Sequence, residues 1–227
     1  MKKNKLIFRL ISLGLFISGI GVLVYIFAPI VSHELDPSIA FRSFLSPIPE
    51  SSYLDMTKAS NWFPDVSHDE NFLENNTQSY SLSVPKLKID NAVVTIGGED
   101  LAEHLIQYPG TAVPGKIGNS VVFGHSILPQ FFNPKNYLTI FSTLHTLKIG
   151  DQVFANFDGV KYSYKVQDRF EVSPKDIQIL EQPRDASYIT LVTCSPPGDP
   201  RKPKRLVVRA KLVPLTQADA KEKIDVN

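Results

Sequence analysis

The sequence is nearly devoid of cysteine: Cys194 is the only one among 227 residues. A single thiol excludes an intramolecular disulfide framework and a cysteine-built zinc site. No charge sign is in excess either, with 24 Lys and Arg against 23 Asp and Glu and a net charge of +1. That balance argues against a nucleic-acid binder, which carries strong basicity. The acidic groups Asp65, Asp69 and Glu70, and the pair Glu99 and Asp100, show no alternating Asp/Asn-Gly loop and read as solvated charges. No metal ligand set and no cofactor is therefore expected. Seventeen prolines, each lacking a donor and interrupting helices, leave little room for a helical bundle. What is present is a 43% hydrophobic content, enough for a real core and incompatible with wholesale disorder.

One long apolar run stands out. Leu10 to Val31 are 22 consecutive uncharged residues, preceded by Lys2, Lys3, Lys5 and Arg9 and followed by His33, Glu34 and Asp36. A helix needs about 20 such residues to cross a bilayer, and the basic flank places the N-terminus in the cytoplasm and the remainder outside. Residues 1–31 are thus expected to be a basic tail and transmembrane anchor. A cleaved signal peptide is the competing reading, but its apolar stretch spans only about 7–15 residues, and Pro29 directly follows Ala28. Residues 32–79 read as an extracytoplasmic spacer, with Pro37, Pro47, Pro49 and Pro64 and no sustained period. Within it, Asn61–Asp65 (NWFPD) has two readings, an apolar patch that docks onto the folded domain and, ahead of it, a loop cluster with incidental aromatics.

From Tyr80 the pattern changes to short β-type runs punctuated by Gly and Pro. Strands are predicted over 81–85, 92–96, 120–124, 152–157, 160–166, 188–194 and 205–213, with a hairpin turn at Asp158-Gly159. Helices are predicted over 99–107 and around 137–147. Many short strands and few helices indicate a mainly β domain, a closed or nearly closed barrel over residues 80–213. Residues 214–227 form a polar C-terminal tail.

Three chemically distinct groups fall at predicted strand ends. Cys194 ends YITLVTC, His125 follows SVVFG, and Arg205 opens RLVVRA. A thiolate is a strong nucleophile, an imidazole can hold or return its proton, and a guanidinium can stabilise a developing oxyanion. An inert buried cysteine fits the same pattern. Among the other histidines, His33 and His68 lie in the spacer and His145 on a predicted surface helix. His104 is the rival to His125, and Arg209 is the rival to Arg205. The remaining basic residues of the run, Arg201, Lys202, Lys204 and Lys211, read as mostly solvated through strand alternation.

These segments, taken in order, resemble the sortase family of membrane-anchored cysteine transpeptidases. The resemblance is carried by LSVPKLKIDNAVV (82–94), YPGTAVPGKIGNSVVFGHS (108–126), LKIGDQVFANFDGVKYSYKV (147–166), TLVTCSPPG (190–198) and KRLVVRA (204–210). It implies an eight-stranded sortase β-barrel in which Cys194 is the nucleophile, His125 the proton donor and acceptor, and Arg205 the oxyanion or substrate clamp. Thr193 is implied to contact substrate through its hydroxyl or backbone. The implied reaction is cleavage of an LPXTG-like sorting signal on a surface protein or pilin through a thioacyl enzyme. The acyl group then passes to an amine of a cell-wall precursor or a pilin lysine. The anchor would bring membrane lipid as a further partner, nucleic acid is not expected, and the setting is the bacterial cell membrane.

Two other readings stay open. An L,D-transpeptidase also uses cysteine and histidine, but places them close together in one segment, whereas Cys194 and His125 are far apart in the chain. A non-enzymatic, membrane-tethered β-module with a buried cysteine predicts that Cys194→Ala leaves function intact.

Overall fold

The computed structural model describes residues 9, 12–25, 28, 40–41, 57–62, 78–199, 201 and 203–213. The chain divides into two compact units, Met1–Pro37 and Ser38–Asn227. In the first, residues 12–25 are helical, and Leu15, Phe16, Ile17, Leu23 and Tyr25 are exposed. Among the described residues no helix is long and apolar enough to cross a membrane. The expected span is thus not shown: residues 10, 11, 26, 27 and 29–31 of the apolar run lie outside the described residues. The expected polar tail, 214–227, lies outside the described residues, as do Asp65, Asp69, Glu70, His33 and His68.

The second unit is built on nine strands: β1 (Ala40–Phe41), β2 (Ser79–Val84), β3 (Ile89–Ile96), β4 (Leu105–Gln107), β5 (Gly118–Phe123), β6 (Gln152–Phe157), β7 (Val160–Val172), β8 (Ser187–Ser195) and β9 (Lys204–Leu212). Their order is β1-β7-β6-β2-β3-β4-β5-β8-β9, and β7 also pairs with β9. That last ladder closes β2–β9 into an eight-stranded barrel, with β1 added in parallel outside the ring on β7. The mainly β, eight-stranded barrel expected from the sequence is what forms.

Local chemistry sets the elements. Asp158 and Gly159 both take positive φ (52° and 71°) and join β6 to β7 with Phe157 opposite Val160, the backbone a two-residue hairpin demands. β7 runs six residues past its predicted end, because its second half finds a partner in β9, from Val166 opposite Ala210 to Val172 opposite Arg205.

Both predicted helices are absent. Over 99–107 the chain makes a turn and then β4, which pairs in parallel with β3 (Val94 opposite Leu105) and antiparallel with β5 (Ile106 opposite Phe123). Leu105, Ile106 and Gln107 are all buried, so sheet pairing overrides a helical period that spans only two turns. Over 137–147 there are turns and a single 3-10 helix, Leu144–Thr146. His145 belongs to it, and its carbonyl accepts a hydrogen bond from the Arg169 guanidinium.

Strand alternation divides the apolar residues into two clusters. Leu82, Val94, Val153, Tyr164, Leu191, Leu206 and Val208 fill the barrel interior. Val121, Phe123, Phe170, Val192, Cys194 and Val207 lie on the outer face of β5, β7, β8 and β9, beneath Trp62, Leu101, Tyr108 and Ile179. The candidate site belongs to this second cluster.

Candidate active site

Cys194 and Arg205 are register partners near the end of the antiparallel β8–β9 ladder. Directly opposed residues hold their Cβ atoms about 4.5–5.5 Å apart on the same face, so thiol and guanidinium share one end of the outer face. β5 runs parallel to β8 on the other side, with Phe123 opposite Val192. Beyond that pair three hydrogen bonds continue the contact: Gly124 N–H donates to Val192 O at 3.1 Å, Thr193 Oγ1 to Gly124 O at 2.7 Å, and Ser126 Oγ to Cys194 O at 2.9 Å. His125 is held between Gly124 and Ser126, both bound to β8. Three distant stretches of sequence therefore converge at one end of one sheet face.

The position before His125 has to be glycine. A Cβ on Gly124 would stand 2.5 Å from the Phe141 ring and 2.6 Å from Leu105, so any side chain there would push β5 away from the core and carry His125 with it.

Thr193 is committed differently from its expected role. Alternation turns its side chain from the face carrying Cys194, and its hydroxyl is spent on Gly124 O. It fixes the strand end that presents His125, which leaves only the backbone for the substrate contact expected of it. Of the rivals, Arg209 lies four residues along β9, about 13 Å from the Cys194 rung. Its Nε donates to Thr190 Oγ1 at 3.3 Å, and its guanidinium lies 6.0 Å from the Phe170 ring centroid. His104 stacks at an angle on Tyr137 instead. The rung thus selects Arg205, and the β5–β8 bonds select His125.

Trp62 follows the docked reading of the NWFPD patch rather than the incidental one. It closes a 3-10 helix, Ala59–Trp62, and is fully buried on the site. Its indole stacks on Phe123 at 5.3 Å and meets the His125 ring at 6.1 Å. Arg205 Cζ lies 5.3 Å from the indole centroid, and Arg205 Nη2 donates to Trp62 O at 3.3 Å. The segment is tied down by Ala59 N–H to Glu99 O and Leu101 N–H to Thr57 O, around a bridge between Lys58 and Asp100. Part of the NWFPD cluster is thus a plug rather than an incidental loop. The available signal was the chain's only tryptophan, placed beside Phe63 in the proline-rich segment before the barrel. With Trp62 in place, Cys194, His125 and Arg205 are 2%, 6% and 0% exposed.

Burial lowers the proton affinity of the Arg205 guanidinium from its ordinary value, and the Cys194 sulfur beside it, as thiolate, offsets part of that effect. A buried guanidinium and a thiolate stabilise one another, and this is the setting in which a cysteine becomes reactive at neutral pH. Among the described residues no three His, Cys, Asp or Glu side chains converge as a metal ligand set.

Comparison with known proteins bears on the family and the fold. A curated sortase A from Streptococcus agalactiae is 23% identical over 150 residues, which are 63% of this chain and 58% of that protein. Sortase A from Corynebacterium diphtheriae superposes with a TM-score of 0.53 at 28% identity, covering 63% of this chain and 64% of the other. The pilus-related sortase C of Group B Streptococcus gives 0.52 at 26% identity, covering 66% and 74%. The Sortase domain family matches residues 82–213, the stretch that supplies seven barrel strands whole, half of β2, and all three converging groups. On that match, with the same barrel underneath, the chain belongs to the sortase family.

Proposed function

We propose that the protein is a cysteine transpeptidase that cleaves an LPXTG-like sorting signal and joins the released carbonyl to an amine. The observation that supports it most directly is the shared rung of Cys194 and Arg205 with His125 on the neighbouring strand end.

In this reading the Cys194 thiolate attacks the carbonyl carbon of the scissile peptide bond, and the Arg205 guanidinium takes up the charge that develops on its oxygen. The His125 imidazolium gives its proton to the departing amine as the C–N bond breaks, leaving a thioester on Cys194. An incoming amine, from a cell-wall precursor or a pilin lysine, gives a proton to His125, attacks the thioester and expels the thiolate. Arg205 serves both steps, because a planar fork of donors suits an oxyanion that forms and collapses twice.

Access to Cys194 requires Trp62 to leave the position it holds. The segment carrying it is not a strand of the barrel; its bonds include Ala59 N–H to Glu99 O, Leu101 N–H to Thr57 O and Arg205 Nη2 to Trp62 O, contacts that can open locally.

The apolar run from Leu10 to Val31, with its basic flank, is read as a single-pass anchor that holds the barrel at the outer side of a bacterial membrane. The exposed apolar side chains of residues 12–25 support this reading, since lipid is the solvent they match.

The test is to incubate the protein with a library of sorting-type peptides and look for the acyl adduct on Cys194 by mass spectrometry, with and without an added amine. An adduct on Cys194 that the amine discharges to a new peptide product is expected. A chain that takes up no acyl group from any member would sink the proposal, as would an undiminished adduct in Cys194→Ala.

A further inference from the structure

On the face of the β8–β9 ladder opposite Cys194 and Arg205 lies a buried acid that this chemistry does not use. Glu171, near the end of β7, is 3% exposed. One carboxylate oxygen accepts a hydrogen bond from Ser195 Oγ, and the other stands 3.4 Å from Lys204 Nζ. Ser195 and Lys204 are themselves register partners and form the last rung of the ladder, one step beyond Cys194 and Arg205. Glu171 reaches that rung from a third strand, since β7 lies beside β9 with Glu171 opposite Leu206 and Val172 opposite Arg205.

The connecting loop makes such a contact necessary. Of residues 196–203, Pro196, Pro197, Pro200 and Pro203 lack a backbone donor, so the ladder has little means of continuing past Ser195 and Lys204. A terminal rung frays unless something else holds it, and here the next rung inward carries the two reacting groups. Other contacts secure the loop's neighbours. Ser126 holds Cys194 O from β5. Asp199 takes the Arg201 backbone and guanidinium within the loop. A Cβ on Gly198, which has φ +81°, would stand 2.6 Å from Leu128. Glu171 does something these do not: it ties the side chains of both loop stems to one another and to β7. A buried carboxylate is costly unless fully partnered, and its partners are the two residues that close the ladder.

We infer that Glu171 is a positioning residue, whose carboxylate bridges Ser195 and Lys204 behind the reactive rung and so sets the spacing between Cys194 Sγ and the Arg205 guanidinium. The inference rests on the reading of Cys194 and Arg205 as the reacting pair. It also gives work to two residues that look like loop flank and solvated base.

The test compares Glu171→Gln, Lys204→Met and the double variant with the natural protein as full chains. Glutamine keeps the volume and can still accept from Ser195, but does not hold the ammonium. The first readout needs no substrate: the pH dependence of Cys194 alkylation by iodoacetamide, followed by intact mass. Its midpoint should rise by about one pH unit in each single variant, as expected when a thiolate loses part of its contact with the Arg205 guanidinium; in Glu171→Gln the lost carboxylate charge acts the other way, so a rise there reports the displaced guanidinium. With an LPXTG-like peptide, kcat should fall about tenfold while KM changes by less than roughly twofold. The double variant should be no worse than the worse single one, because both substitutions remove one interaction. An unchanged midpoint in both folded single variants overturns the inference, and so does full additivity in the double variant. If Glu171→Gln does not fold, Ser195→Ala, which removes one of the two bridging contacts and no charge, decides in its place. If the natural protein cleaves no sorting peptide, the transpeptidase reading fails, while the alkylation midpoint still decides the role of Glu171.

Discussion

The two faces of the β8–β9 ladder are equally buried and entirely different in construction. Inward, Leu191, Leu206 and Val208 meet residues from strands across the barrel, and sheet closure alone completes their surroundings. Outward, Val192, Cys194, Val207 and Arg205 are covered by pieces brought from elsewhere: the 57–62 segment, Leu101, Tyr108 and the loop that carries Ile179. A face covered by separately tethered segments can be uncovered, whereas one covered by its own barrel opens only when the fold is lost. The chemistry sits on the face that can open.

That contrast can be broken most sharply by a pair of truncations. Cys194→Ala should remove at least a thousandfold of the acyl-transfer rate, on the order of what loss of a covalent nucleophile costs, with a melting temperature close to that of the natural protein. Leu191→Ala, three residues away on the inner face, should do the reverse, costing about 3 kcal/mol of stability in a denaturant titration with the folded fraction still active. Equal stability losses from the two would erase the distinction between the faces.

Arg205→Lys tests how much of the outer face depends on a fork rather than a charge. About a 10- to 100-fold loss in kcat/KM is expected, because an ammonium does not reproduce the paired donors. Trp62→Ala sharpens the comparison further. If the indole is a removable cover, Cys194 should alkylate on the order of tenfold faster, as the protected population falls. A large loss of stability without faster alkylation would instead make Trp62 part of an ordinary core.

The smallest effect concerns the loop. Its Arg201 partner holds the Asp199 carboxyl below the usual carboxylate range by hydrogen bonding, against the opposing effect of burial. A depressed folded pKa gives stability that is present above the unfolded value of about 3.9 and lost as pH falls through the folded one. Arg201 is largely exposed, so Arg201→Ala should cost no more than about 1 kcal/mol at neutral pH. The difference should shrink as pH falls below the unfolded value and through the lower folded one, read as converging melting temperatures.

How much of this was legible in the sequence divides along the same line. β6 alternates and was found to the residue, because one face is wet and a period of two is visible. β5 is buried at all six positions, so alternation says nothing about which side bears the site. Cys194, His125 and Arg205 could be named because their residue types are rare and fall at strand ends. β4 was misread since its three residues owe their conformation to partners on both sides. The NWFPD patch could be marked as one that docks, but not where, and Glu171 could not be marked at all: Trp62 and Glu171 both act through groups more than twenty residues away.

The parallel pairing of β5 with β8 carries one last implication. Two strands running the same way cannot be joined by a tight turn, so β6 and β7 are threaded between His125 and Cys194. Arg205 lies later still, on the strand that seals the ring. A chain stalled before its final strand docks carries a thiol without the counter-charge beside it. Reactivity is therefore withheld until assembly is finished, and an incomplete copy is chemically quiet toward whatever proteins surround it.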